Sequence, residues 1–212
     1  AGWRGWRSWL QFDGFVDAFR GAGARVLVLR LLYTFLMRAT YALHSSYEQD
    51  RWSMTISTTG YLASYKQALG LIVNTLLVGR LASKLPTSQL LSIALIASAA
   101  NAVLESTHST FALYAFVNLP VSAVAGTFTN TMMSVLYSQA VPKRSAGSAL
   151  SVFDTLSSAA NVLAPLYGGF ALGHYGTTIQ PVLACAHYLV LLGCVRFLLR
   201  GDAIEDTTKK TD

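Results

Sequence analysis

The lysines and arginines of this chain fall almost entirely into alternate gaps between six apolar stretches, and that one-sidedness restricts what the chain can fold into. Basic loops resist translocation, so a chain that crosses a bilayer repeatedly keeps them on its cytoplasmic face. The basic gaps hold Arg4, Arg7, Arg20 and Arg25, then Arg80 and Lys84, then Lys143 and Arg144, and last Arg196, Arg200, Lys209 and Lys210. The other gaps hold only Arg51 among basic residues. Charges inside the apolar stretches break the rule, and function is to be sought there.

Charged residues make up 12% of the chain and the mean hydropathy is +0.43. A soluble domain averages about 25% charged residues, so this chain has about half the charge of an ordinary globule. The net charge of +6 sits in short loops beside apolar runs. That placement points to anionic headgroups on the cytoplasmic side of a bilayer and away from nucleic acid. Cys185 and Cys194 are nine residues apart in the last apolar stretch. On a continuous helix they face nearly opposite ways, which excludes a disulfide between them, and they have no metal-ligand spacing. No metal or cofactor is expected.

A bilayer core needs about 20 residues of helix. The candidate spans are 25–46, 58–79, 86–105, 109–137, 146–173 and 178–199. The fourth and fifth exceed the core's requirement, so they are expected to tilt, kink or extend, with Pro120 and Pro165 as breakers. Six crossings put both ends on the basic, cytoplasmic side. Residues 1–24 form a juxtamembrane segment in which Trp3, Trp6 and Leu10 recur at helical spacing beside Arg4 and Arg7. That pattern suits a short helix lying in the interface, or a solvated linker with a few aromatics. Gly21, Ala22 and Gly23 are expected to loosen its joint with the first span. Residues 25–199 form the bundle, and 200–212 a polar tail. The chain starts at Ala1 without a Met and shows no signal peptide pattern, which suits a fragment or the product of an incompletely defined gene. Ser157, Ser158, Ala159, Ala160, Gly169 and Gly173 make the fifth span suited to close helix approach.

The loop after the second span reads Gly79-Arg80-Leu81-Ala82-Ser83-Lys84-Leu85. It resembles the G-x-L-a-D-R/K loop between the second and third helices of major facilitator superfamily transporters. Ser83 stands where the Asp belongs, and Pro86 where a Gly is usual. The run Ala164-Pro165-Leu166-Tyr167-Gly168-Gly169 resembles the G-P-x-x-G-G pattern of drug/proton antiporters, with Ala164 replacing the first Gly. Val141-Pro142-Lys143-Arg144-Ser145-Ala146-Gly147 resembles the basic turn entering helix eleven, and Gly60-Tyr61-Leu62 suits the opening of helix eight. The resemblance spans roughly 25–199 and is strongest to the organic-cation-transporter-like and tetracycline-efflux-type branches. It implies an all-α membrane protein whose six transmembrane helices form one half of the superfamily's fold. The C-terminal half is indicated. The fourth span lacks the buried Arg of the N-terminal half, the loop at Ser83 is degenerate, and the basic, Trp-rich leader suits a central cytoplasmic loop. The implied function is alternating-access transport of a small organic solute, with proton coupling, and the implied partner is an N-terminal six-helix half. Gly79, Arg80, Lys84, Pro165, Gly168 and Gly169 would carry the conformational motifs.

Arg38, Lys66 and Asp154 lie deep in the first, second and fifth spans. A charge at a helix centre costs about 2.5–3.5 kcal/mol on insertion scales, so it faces a cavity or a partner. By the resemblance these spans border the central cavity, and none of the three charges lies on the third or sixth span, which the family turns to lipid. Helical spacing adds a polar stripe to each: Thr34, Arg38, Tyr41 and Ser45; Lys66, Gly70 and Asn74; Asp154, Ser158, Asn161, Pro165 and Gly168. The fourth span offers Asn118 with Ser122, and Thr127, Asn130 and Ser134. Two roles stay open for the charges, contact with solute or proton, and structural pairing of Lys66 or Arg38 with Asp154. Asp154 is the one carboxylate expected deep in the membrane. Arg30 is expected to snorkel. His44 and His108 are expected near the outer edge, His174 in an outer loop and His187 on a lipid-facing helix, all as packing or interface residues. Glu105 is expected to end the third span in water. The alternative function is a non-transporting six-helix scaffold. No nucleophile, base or paired-carboxylate pattern marks an enzyme, and the threefold P-x-D/E-x-x-K/R repeat of mitochondrial carriers is absent.

Overall fold

The computed structural model describes residues 21–107, 110–141 and 146–199, and every regular element among them is helical. The expectations for residues 1–20, His108, the basic turn at Lys143 and Arg144, and the tail 200–212 lie outside the described residues. The long helices are α1 (Gly21–Trp52), α2 (Ile56–Val73), α3 (Thr87–Thr107), α4 (Phe111–Ala140), α5 (Ala146–Tyr175) and α6 (Gln180–Leu199). A π-helical turn, Asn74–Val78, and a last α-helical turn, Gly79–Ala82, extend α2 without a break.

Among the described residues four helices are long and apolar enough to cross a membrane: Gly23–Trp52, Thr87–Thr107, Phe111–Ala140 and Thr177–Leu198. Their length and composition suit a membrane protein. The two long helices outside that set, α2 and α5, are those whose apolar runs are diluted by Lys66, Gln67 and Asn74, and by Asp154, Asn161 and a series of small residues.

Local chemistry sets the joints. Ser53 has φ 48, which turns the chain out of α1, and the Thr55 hydroxyl then caps α2 by accepting from Thr58 N at 3.3 Å. Gly176, at φ 72, makes the corresponding turn between α5 and a short 3-10 turn, Thr177–Ile179, that leads into α6. Pro120 follows a π-helical turn, Tyr114–Asn118, inside α4. The wider turn makes room for a ring that would clash in a regular α-helix, so this breaker widens α4 and does not end it. Gly21, Ala22 and Gly23 are the first residues of α1, and their expected joint with the preceding segment lies outside the described residues.

Packing follows a simple scheme. α1 packs on α5 and α6, α3 on α4 and α6, α2 on α4, and α1 meets α4. Exchanging α1 with α4, α2 with α5 and α3 with α6 leaves this scheme unchanged. The flanking helices α2 and α5 approach their neighbours at matching glycines. A Cβ at Gly70 would lie 3.1 Å from Thr127 Oγ1 of α4, and one at Gly168 would lie 3.3 Å from the Ala39 carbonyl of α1.

The core is divided along the bundle axis. Leu27, Leu29, Leu91, Leu95, Met132, Met133, Leu136, Leu191 and Val195 form one apolar cluster at the end that carries Arg80 and Lys84. Toward the opposite end the buried residues include Thr40, Glu48, Ser98, Asn101, Glu105, Asn118, Gln180 and His187. On α3 and α6 the exposed residues are apolar through the middle of each helix, with Ile93, Ile96 and Val103 on one and Val182, Leu189 and Val190 on the other. Such faces suit lipid contact.

Candidate functional site

The polar end closes around His44. This residue sits late in α1, one turn before Glu48, so both side chains point into the bundle. Glu105 reaches the same point from the last turns of α3, Tyr114 from the π-helical turn of α4, and Gln180 from the first residue of α6. His44 Nε2 lies 3.3 Å from Glu48 Oε1 and 3.2 Å from the Tyr114 hydroxyl. His44 Nδ1 lies 3.3 Å from Glu105 Oε1 and 3.0 Å from Gln180 Nε2. The Tyr114 hydroxyl donates to Glu48 Oε1. Glu105 is 6% exposed and Glu48 9%. These positions correct two expectations. Glu105 does not end its helix in water, and Asp154 is not the carboxylate buried deepest.

A cavity of about 200 Å3 opens beside this cluster, lined by Tyr33, Thr40 and Tyr41 of α1, Lys66 of α2, Ser98 and Asn101 of α3, Ser122 of α4 and Tyr188 of α6, with His44, Glu105 and Gln180 at its end. Lys66 is half-buried there and faces Glu48 and Glu105. A second groove of about 420 Å3 runs between α2 and α4, where Gln67, Asn74, Thr127, Asn130 and Thr131 line it, and it shares Lys66, Ser122 and Gly126 with the first. Thr131 Oγ1 donates to Asn74 Oδ1 across this groove at 3.4 Å. Lys66 thus stands where the two spaces meet.

The remaining sequence candidates are placed differently. Asn118 is buried and its side-chain amide donates to the Asn101 carbonyl at 3.1 Å, which ties α4 to α3. Arg38, Asp154 and Asn161 are exposed on α1 and α5, outside both spaces. Parallel packing sets Arg30 against Phe153 and Ala39 against Gly168. Asp154 therefore lies at the level of Arg30, and Arg38 is two turns further on, roughly 12 Å along the axis. Lys66 faces Glu48 and Glu105, so the expected pairing of Lys66 or Arg38 with Asp154 is not the arrangement found. The Arg30 guanidinium lies 4.0 Å from the ring centroid of Phe153 and 5.1 Å from that of Tyr137, so this residue stacks inside the bundle and does not simply snorkel.

No family model, curated protein or solved structure matches this chain. The site is therefore read from its own geometry. His187 turns inward from α6, and in its neutral form the proton count is settled by its neighbours. Thr40 Oγ1 donates to the Leu36 carbonyl at 2.8 Å, so it accepts from His187 Nδ1 at 2.8 Å, and His187 Nε2 accepts from the Tyr167 hydroxyl at 3.1 Å. That chain joins α1, α6 and α5. Gly79, Arg80 and Lys84 are exposed at the basic end, Gly79 and Arg80 in the last turn of α2 and Lys84 just beyond it. The Ser83 hydroxyl bonds back to the Arg80 carbonyl of its own helix at 2.9 Å. On α5, Pro165 and Gly169 face outward while Gly168 meets α1. Among the described residues no three His, Cys, Asp or Glu side chains form a metal-binding group.

Glu48 and Gln180 were not singled out in the sequence, and His44 and Glu105 were read as edge residues. The pair spacing His44 and Glu48, four residues apart, was the available signal. It gained meaning only once α3, α4 and α6 brought Glu105, Tyr114 and Gln180 to the same point.

Proposed function

We propose that the chain is the C-terminal six-helix half of a major facilitator superfamily transporter, moving a small organic solute by alternating access with protons as the coupling ion. The observation that carries this reading is the convergence of the polar cavity and the polar groove on Lys66, on one side of a bundle whose α3 and α6 present apolar surfaces. A substrate site of this kind forms near the midplane, between helix groups related by internal repetition. The exchange of α1–α3 with α4–α6 supports such a repeat. In this reading α2 and α5 are spans as well, both chain ends are cytoplasmic, and an N-terminal half covers the face that carries Arg38, Asp154, Asn161, Asn74 and Asn130. Polar residues then dilute α2 and α5 because those helices border water and protein as well as lipid.

The test is uptake of a panel of organic solutes into proteoliposomes that hold this bundle joined to its N-terminal half, with and without a proton gradient. Saturable, gradient-dependent uptake is expected, and Lys66→Met should lower it by at least about tenfold, a loss of about 1.4 kcal/mol of stabilisation. Asp154→Asn should abolish or uncouple it. Uptake that keeps its rate and pH dependence in both variants would remove these residues from the site. Absence of saturable uptake for every solute tested would point to the non-transporting scaffold.

A further inference from the structure

We propose that His44 and Glu105 form a proton-binding site, in which one exchangeable proton is held between His44 Nδ1 and Glu105 Oε1 and ties α1 to α3. The inference stands on hydrogen-bond accounting and does not depend on the transport reading. The Tyr114 hydroxyl donates its only proton to Glu48, so its oxygen is left to accept. His44 Nε2 therefore faces two acceptors, the Tyr114 oxygen at 3.2 Å and Glu48 Oε1 at 3.3 Å, and must carry hydrogen. On the other side of the ring, Nδ1 stands 3.3 Å from Glu105 Oε1. Without hydrogen, Nδ1 accepts from Gln180 Nε2 at 3.0 Å; with hydrogen it donates to Glu105 Oε1, and the Gln180 amide must then turn its oxygen toward the ring. With the proton bound, the pair is either imidazolium and carboxylate or imidazole and carboxylic acid.

The surroundings make this proton exchangeable. Lys66 of α2 lines the same cavity and acts electrostatically on Glu48 and Glu105, so with the proton bound these four groups are two negative and two positive. Loss of the proton leaves one negative charge, which Glu105 can share with Lys66 while Gln180 Nε2, 3.0 Å from Nδ1, donates to the bare ring nitrogen. Tyr47 of α1 and Tyr188 of α6 also act on Glu105. A path for the proton exists because His44 and Glu105 line the open cavity. The Asn101 and Gln180 side-chain oxygens, 7% and 2% exposed at the residue level, line the same cavity without a partner among the described residues, as acceptors ready for water. Proton release thus moves the attachment of Glu105 from α1 toward α2.

The experiment is nitrogen NMR of the histidine-labelled protein in lipid nanodiscs across pH, with the His44 resonances assigned by their loss in His44→Gln. One proton is expected to titrate at His44 Nδ1 while Nε2 stays protonated. Glu105→Gln should lower the proton affinity of His44 at least tenfold, and Lys66→Met should raise it severalfold. If Glu105→Gln does not fold, Lys66→Met alone decides, since Lys66 sits at the open side of the cavity. A His44 titration that moves in neither variant overturns the site, whatever the transport assay returns.

Discussion

The two ends of the bundle are held by different forces. At the basic end, α1, α3, α4 and α6 meet through Leu29, Leu91, Leu95, Met132, Met133 and Leu191, and Arg30 there rests on aromatic rings. At the opposite end the same four helices meet through His44, Glu105, Tyr114 and Gln180. Apolar packing is insensitive to protons and changes little with small shifts, whereas a charge network has discrete arrangements that a single proton can exchange. The basic end is thus built to stay closed within this bundle. The other end is built to switch.

Mutations at the two ends sharpen that contrast, and the largest effect belongs to the apolar one. Leu95 is fully buried, and Leu95→Ala should cost about 2–5 kcal/mol in reversible unfolding from detergent, whereas Ile93→Ala, on the exposed face two residues away, should cost far less. Equal losses would mean that the core lies elsewhere. Next in size is the α1–α5 contact. Gly168→Leu must push α5 away from the Ala39 carbonyl and should cost about 1–3 kcal/mol by the same measurement. Gly169→Ala has open space and should stay within about 0.5 kcal/mol.

At the polar end, Tyr114→Phe removes the hydroxyl shared by Glu48 and His44, with an expected loss of about 1–3 kcal/mol from the buried groups it leaves. A double-mutant cycle with Glu48→Gln should show coupling, and strict additivity would mean that these groups do not act as one network. The smallest effect is expected for Arg30→Met, about 0.5–2 kcal/mol from the lost ring contacts. Exposed Arg38→Met serves as its near-neutral control. A larger loss at Arg38 than at Arg30 would reverse the assignment of which cation the bundle holds.

Much of the helical plan was legible beforehand. Except for α1, each long helix begins and ends within three residues of its expected bounds once the last turns of α2 are included. α1 runs six residues past 46 because Tyr47 and Glu48 face inward, and a buried polar residue late in an amphipathic run looks like the start of a loop when only hydropathy is read. Lys66 was visible as a charge in an apolar stretch, and it does line the cavity. Arg38 and Asp154 carried the same signal but lie on the open face. Charge depth along a helix says how costly a residue is, while the direction it points depends on which neighbour packs where.

The sequence by itself determined that the chain is helical and apolar, where its helices lie, and that its charges are exceptional, because hydropathy, helical periodicity and turn chemistry are local properties. Only the tertiary structure decided that His44, Glu48, Glu105 and Lys66 meet at one end of the bundle. Those residues come from three helices, and their proximity depends on packing between α1, α2, α3 and α4 that no local pattern encodes. A histidine at the edge of one helix became the centre of a buried network because three other helices place a carboxylate, a phenol and an amide within hydrogen-bond range of its ring.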